Sequence, residues 1–201
     1  LSMRSIQPEA EGLYSQRAQQ NTLQKRTIAR AAEEFVLPSH AVYLDAGSTI
    51  MELAKRLKDQ HYTIITSGAN IAIELSQRRS CSVIALGGQI SGNTLSFSGA
   101  QAEALLDLVN IETAVMATSG YSKTGGFTSG SFSESEIKRK VIAKAAKVIM
   151  LMDKSKLDRS LPFTFATLKD IDILITDSPL SFELMLEAKD ANVEVLVAKE
   201  N

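Results

Sequence analysis

The sequence predicts an α/β domain built on a mostly parallel sheet with helices on both faces. Three observations lead there. Short apolar runs of strand length alternate with stretches of helical periodicity over most of the 201 residues, the pattern that right-handed β–α–β crossovers produce. Aromatic residues make up only 5% of the chain and Trp is absent, so Ala, Ile, Leu and Val must fill the core, as they do in buried parallel strands. Polar residues and glycines gather where the strands end rather than evenly along the chain.

Each element follows from local pattern. Leu13 to Phe35 reads as one helix, with Leu23, Ile28, Ala31, Ala32 and Phe35 at helical spacing and Pro38 closing it. Ala41 to Leu44 is a short buried strand, and Ile50, Leu53, Ala54 and Leu57 mark the inner face of the helix behind it. Tyr62 to Thr66 repeats the strand and Ile71 to Leu75 the helix. Ser82 to Leu86 is a strand ending at Gly87-Gly88, followed by a polar Ser/Gly-rich stretch and a helix from Ala100 to Leu108. Thr113 to Ala117 is a strand ending near Gly120, and Ser119 to Ser133, rich in Gly and Ser, is expected to be flexible. A helix from Glu134 to Ala146 leads to a strand from Lys147 to Met152 and then a long polar loop. Strands over Asp172 to Thr176 and Val193 to Ala198 enclose a helix from Ser181 to Lys189. No linker of domain-separating length and no internal repeat interrupts this rhythm. Residues 1–12 are therefore assigned to an N-terminal remnant or linker and 13–201 to one domain.

Composition removes several function classes. A formal net charge of −1 gives no overall attraction to nucleic acid. The single Cys81 excludes an internal disulfide, and no Cys/His cluster has zinc-site spacing. No metal or cofactor is expected. Without a membrane-length apolar run or a signal-peptide core, the expected location is the cytoplasm. His40 and His61 flank strand starts away from any nucleophile and read as surface residues. Cys81 opens a strand with no base beside it and reads as an inert thiol.

Ligands of open parallel sheets bind in the crevice beyond the carboxyl ends of the strands. That is where the polar clusters fall: Asp45-Ala46-Gly47-Ser48-Thr49, Thr66-Ser67-Gly68, Gly87-Gly88, Ser119-Gly120 and Asp153 to Lys156. In the first cluster Gly47 permits a tight turn, and the amides starting the next helix carry the positive end of its dipole. Ser48 and Thr49 add hydroxyl donors, and Asp45 can accept from ligand hydroxyls. The same cluster also reads as a plain helix N-cap after an Asp that ends a strand. It is neither a Walker loop nor a G-x-G-x-x-G turn. Lys156 can reach a phosphate as a point charge, although a lone loop lysine is more often simply solvated. Glu134 and Lys138, four apart, make an ordinary stabilising helix pair. The run Lys138-Arg139-Lys140 with Lys144 and Lys147 reads as a solvated helix face.

Taken together, these landmarks resemble the C-terminal sensor domain of DeoR-family transcription repressors. They run in order: Asn21-x-x-x-Lys25-x-x-Ile28-Ala29, then Asp45 to Thr49, Thr66-Ser67-Gly68, Leu86-Gly87-Gly88 and Gly125-Gly126-Phe127-Thr128. Glu134, Lys138 and Arg139 follow, then Asp153, Ser155 and Lys156, and the strand from Ile171 to Asp177. Ser67 stands where the family commonly has Asn. The resemblance implies a Rossmann-like fold shared with ribose-5-phosphate isomerase and CoA transferases. It implies a phosphorylated sugar or related small phosphate as effector, held by Gly47, Ser48 and Thr49, with Asp45 on a hydroxyl. Lys138 and Lys156 would supply positive charge, and Glu134 would orient Lys138 or contact the sugar. It further implies a homodimer or homotetramer that meets operator DNA only through an N-terminal helix-turn-helix domain. Nothing before Leu13 is long enough to form such a domain, so a sensor without its DNA reader is expected.

Two enzyme readings compete on the same fold. A sugar-phosphate isomerase or deaminase needs a positioned carboxylate base, and related isomerases carry a Gly-Ala-Asp segment after the strand that here ends Met116-Ala117-Thr118-Ser119-Gly120-Tyr121, which holds no acid. A CoA transferase needs a glutamate in a strand-end turn, and none of the strand ends supplies one. The expectation is a binding domain without enzymatic activity.

Overall fold

The architecture comes from a computed structural model of the chain that describes residues 13–200. Residues 1–12, assigned above to a remnant or linker, lie outside the described residues. In order, the elements are α1 (Tyr14–Gln19), α2 (Thr22–Ala32), β1 (Ala41–Leu44), α3 (Ser48–Arg56), β2 (Tyr62–Thr66), α4 (Ala69–Ser76), β3 (Cys81–Ala85), β4 (Gln89–Ser91) and β5 (Ser96–Ser98). They continue as α5 (Ala100–Asp107), β6 (Thr113–Ala117), β7 (Gly120–Ser122), β8 (Gly126–Ser129), α6 (Phe132–Lys144), β9 (Lys147–Met152), β10 (Phe163–Ala166), β11 (Ile173–Thr176), α7 (Phe182–Asp190) and β12 (Glu194–Val197).

Aliphatic strands set the frame. Seven of them form one sheet in the order β12-β11-β9-β6-β1-β2-β3, and every neighbouring pair is parallel. Alternate residues divide between two cores, as the period of two requires. Val42, Leu44, Ile64, Val115 and Ile149 pack on one face with α2, α3 and α4 through Ile28, Leu53 and Ile71. Tyr43, Ile65, Met116 and Met150 pack on the other with α5, α6 and α7 through Leu106, Val141 and Ala188. The expected α/β fold with two covered faces is therefore the fold observed.

The strand order creates the site. From β1 the chain moves outward through β2 and β3, then returns to lay β6 on the opposite side of β1 before moving out through β9, β11 and β12. Crossover connections on the two sides of that reversal cover opposite faces, so a crevice opens between the carboxyl ends of β1 and β6. Asp45 and Thr118 stand there, with α3 on one face of the sheet and α6 on the other.

Four expectations need correction. The helix expected over Leu13 to Phe35 is broken: α1 stops at Gln19, Gln20 is extended and Asn21 is left-handed with φ 52°, and a 3-10 turn over Glu33–Phe35 follows α2. None of the α1 residues is buried, so no core holds the first turns in line with α2, and Asn tolerates the left-handed conformation better than most residues. The segment expected to be flexible, Ser119 to Ser133, carries β7 and β8, which join β10 from the expected polar loop in an antiparallel sheet ordered β10-β8-β7. Phe127 anchors it, fully buried 4.8 Å from the Tyr121 ring. The Ser/Gly stretch after Gly88 is the β4–β5 hairpin. Finally, α6 begins at Phe132, because the Ser131 side chain accepts from the Glu134 N–H and caps it.

Leu53 sits fully buried on α3 between the sheet and α2. Leu53→Ala is expected to lower unfolding free energy by about 2–5 kcal/mol, the range for a core leucine that leaves a cavity. The shift of a urea unfolding midpoint at unchanged slope measures it.

Candidate functional site

At the crevice one carboxylate ties three elements together. Asp45, the residue after β1, is 2% exposed. Its Oδ1 accepts from the Ala46 N–H at 2.9 Å and its Oδ2 from the Ala117 N–H at 3.0 Å. Lys138 on α6 donates to the same Oδ2 and, at 3.0 Å, to the Ala117 carbonyl. The ammonium also stands 5.1 Å from the Phe165 ring centroid, a cation–π contact.

Just past this bridge the backbone turns at Gly47 with φ 127°, a conformation side chains oppose. α3 starts there without any side-chain cap and without an acidic residue in its first turn. The first amides of a helix have no intrahelical acceptor and carry its positive end, so an anion placed at this start would be stabilised. Ser48 and Thr49 place two nearly buried hydroxyls in the same turn.

The turn opens into a small cleft of about 40 Å³. Gly47, Ser48 and Thr49 line it from α3, and Glu134 and Lys138 from α6. The Thr94 and Ser96 hydroxyls both donate to Glu134 Oε1, Ser96 at 2.7 Å, which fixes that carboxylate against the β4–β5 hairpin. Three further cations, Arg17, Lys25 and Lys156, face the same space. Lys25 is only 3% exposed. Its ammonium donates to the carbonyls of Arg17 and of Gln20, the latter at 2.7 Å. Burial, and next the charge of Lys156, hold its pKa down to about 8, with Asp153 pulling the other way. A buried lysine crowded by like charge marks a place where a negative ligand would be stabilised.

A family model described as the DeoR C-terminal sensor domain matches residues 20–178. The chain belongs to that family. This DeoR sensor domain is 33% identical over 187 residues to the HTH-type transcriptional regulator GlpR of Haloferax volcanii, covering 92% of the chain and 73% of that protein. It is 31% identical over 189 residues to the HTH-type transcriptional repressor GlcR of Bacillus subtilis, covering 94% and 72%. Among solved structures, eIF2B delta from Chaetomium thermophilum superposes with a TM-score of 0.56 at 16% identity over 80% of this chain and 59% of that one. Ribose 5-phosphate isomerase A from Methanocaldococcus jannaschii gives 0.50 at 17% identity over 68% and 55%. At that identity the two structures speak for the fold alone.

Of the expected site residues in this DeoR sensor domain, the structure brings Gly47, Ser48, Thr49, Glu134, Lys138 and Lys156 to the cleft. Asp45 and Ser67 line a smaller cavity beside it, together with Lys138 and Glu134. Asp45 accepts from two amides and an ammonium, which tie Lys138 and the two strand ends to it. Ser67 Oγ accepts from the buried Tyr43 hydroxyl at 2.8 Å. Thr66, Gly87, Gly88 and Gly120 do not line the cleft. Thr66 Oγ1 accepts from the Gly68 N–H at 3.0 Å and shapes its own turn. Gly88, at φ 88°, lies so close to the Ser98 carbonyl that a Cβ would meet it at 2.7 Å, which explains the glycine through hairpin packing. Gly120 is packed in the same way against the Arg159 backbone.

Two readings of charge also change. Glu134 and Lys138 engage other partners than each other, and the basic run is solvated only in part: Arg139 and Lys147 are exposed, and the others are drawn inward. Lys138 is buried, Lys140 pairs with Asp107 at 2.9 Å, Lys144 donates to the Leu106 carbonyl and Lys147 lies 5.1 Å from the Phe35 ring centroid. Sequence reasoning missed Arg17, Lys25 and Thr94 as cleft residues. Lys25 carried a signal, since a lysine among the apolar positions Ile28, Ala29 and Ala32 of α2 is out of place on a buried face.

Asp45→Asn keeps the size of the side chain but leaves the Lys138 ammonium buried without its counter-charge. The expected cost is about 3–5 kcal/mol of unfolding free energy, and adding Lys138→Met should recover part of it. Chemical denaturation of the wild type, both single variants and the double variant forms the cycle that tests this.

Proposed function

We propose that residues 13–201 are the effector-sensing part of a transcription repressor that responds to a small phosphorylated sugar. The phosphoryl group would sit at the start of α3 on the amides and hydroxyls of Ser48 and Thr49. Lys25, Lys138 and Lys156 supply charge around it, and Glu134 is placed to accept from sugar hydroxyls. One observation carries this reading: an uncapped nine-residue helix at the sheet reversal faces a cleft lined by four cationic side chains and one carboxylate. Membership in the sensor-domain family supports it. By that membership, operator DNA is read by a helix-turn-helix domain, and the effector acts by favouring one arrangement of protomers in a homodimer or homotetramer. The shift cannot exceed the difference in effector affinity between the two arrangements, and DNA must change effector affinity by the same factor. A cytoplasmic location goes with that role; among the described residues no helix is long and apolar enough to cross a membrane.

We further propose that binding occurs without turnover. Among the described residues Glu134 is the one carboxylate lining the cleft, and the Thr94 and Ser96 hydroxyls already occupy its Oε1. Incubation with ribose 5-phosphate or glucosamine 6-phosphate should give no product; isomerisation abolished by Glu134→Gln would replace the sensor by an enzyme.

In a thermal shift panel, some sugar phosphate should stabilise the protein while its unphosphorylated counterpart has little effect. Thr49→Ala and Lys156→Ala should each weaken that binding by about 1–3 kcal/mol, the size of a lost charge-assisted hydrogen bond. Should both variants bind like wild type, the phosphate is misplaced.

The site also sets a pH window. A phosphoryl group gains its second charge near pH ~6, while Lys25 loses its proton as pH rises through about 8. Affinity is expected to be greatest between these values and to fall on both sides. Because a bound anion raises the lysine pKa, binding above pH 8 should take up a proton. Calorimetry in buffers of different ionisation enthalpy reads that uptake. For folding without ligand the sign is opposite: the unfolded chain holds the Lys25 proton up to its ordinary value, so this residue's contribution to stability rises with pH above about 8.

A further inference from the structure

α1 is a helix of six residues with none buried, far too short to persist alone in water. Polar contacts hold it. The Tyr14 N–H donates to the Asn93 carbonyl at 2.7 Å, and Asn70 Nδ2 donates to the Tyr14 hydroxyl at 2.8 Å. At its other end, Lys25 donates to the carbonyls of Arg17 and Gln20 and so closes the carboxyl end of the helix. One residue further, Asn21 Nδ2 donates to Ser155 Oγ at 3.1 Å, tying the bend between α1 and α2 to the turn that carries Lys156. Thus α1, the bend and the Lys156 turn are one connected unit, and Arg17, Lys25 and Lys156 of that unit line the anion cleft.

We propose that α1 is an effector-operated latch pinned by Lys25, closing when an anion occupies the cleft. The inference rests on the anion-site reading above and adds to it the element that responds. The charges of Lys156 and Arg17 act against that of Lys25. A phosphoryl group in the cleft would meet all three only if α1 stays seated, so its binding favours the seated helix. Asp153 pulls on the Lys25 charge and so offers it a second resting place. Asp153 is 2% exposed, its Oδ1 accepts from the Ser155 N–H and hydroxyl, and among the described residues its buried Oδ2 has no hydrogen-bond partner. When α1 lifts and takes away the Arg17 and Gln20 carbonyls, the ammonium turns to that oxygen. Two acceptor sets for one buried cation make a two-state element of the kind on which an effector can act. The segment that moves is the one through which the chain enters the domain from its N-terminal side.

Hydrogen exchange followed peptide by peptide tests this, with inorganic phosphate and ribose 5-phosphate as the probes and melting temperature as the independent report of binding. A probe that raises the melting temperature should slow exchange across residues 14–21 by ~5–150-fold, the usual span of coupling between sites, with little change in α7 and β12. Stabilisation with no change in α1 exchange would overturn the latch and leave the anion site standing. Failure of both probes to stabilise the protein would remove the site, and the latch with it. In Lys25→Met, α1 exchange should be fast with and without the probe; a probe that still slows it sinks the pin. Should that variant not fold, Asn70→Ala cuts the Tyr14 tether outside the cleft. It is expected to speed α1 exchange and to weaken probe binding by the same factor, because coupling is reciprocal, and unchanged affinity beside loosened α1 counts against the latch.

Discussion

The bridge from Asp45 to Lys138 is the constraint on which the rest of the cleft depends. β1 and β6 are neighbours in the sheet, yet the chain reverses direction of travel between them, so no crossover helix spans their carboxyl ends. The carboxylate closes that gap by taking an amide from each strand end and an ammonium from α6. Ion pairs removed from water gain little net stability over apolar packing, because desolvation offsets attraction. What this one secures is position: the Gly47 turn, the start of α3 and the α6 face bearing Glu134 are held in one geometry by a single polar node.

Much of this was legible in the sequence, for physical reasons. Parallel strands buried on both faces must be aliphatic runs, so the seven strands of the main sheet stand out against charged helices. The small sheets did not, since β4, β5, β7 and β8 are three or four residues each and largely Ser, Thr and Gly, whose pattern reads as loop. The break at Asn21 carries no proline or glycine; it exists because residues distant in sequence, Asn93 and Ser155, take hold of the chain on either side.

The candidate site divides along the same line. The turn from Asp45 to Thr49 is local, and its chemistry follows from the residues in order. Lys138 entered only through the resemblance to DeoR sensors, because spacing alone pairs it with Glu134, while its actual partner lies 93 residues away. Lys25 shows locally only as a charge among the apolar positions of α2, and the fold of α1 back over it comes from tertiary contacts. A fold shared with an isomerase and with eIF2B delta at 16–17% identity leaves function to such side chains, and here they form a charged recess with a single tethered carboxylate.

The bare start of α3 has a last consequence. Most helices secure their first turn with a Ser, Thr, Asp or Asn side chain worth about 0.5–2 kcal/mol, and the backbone at Gly47 does not admit one readily. On the proposed reading, a bound oxyanion would supply that stabilisation in place of a side chain. Recognition would then double as completion of the fold: tightening the helix from within, by an engineered acidic cap, would raise thermal resistance and blunt responsiveness together, since the internal carboxylate would already be standing in for the messenger.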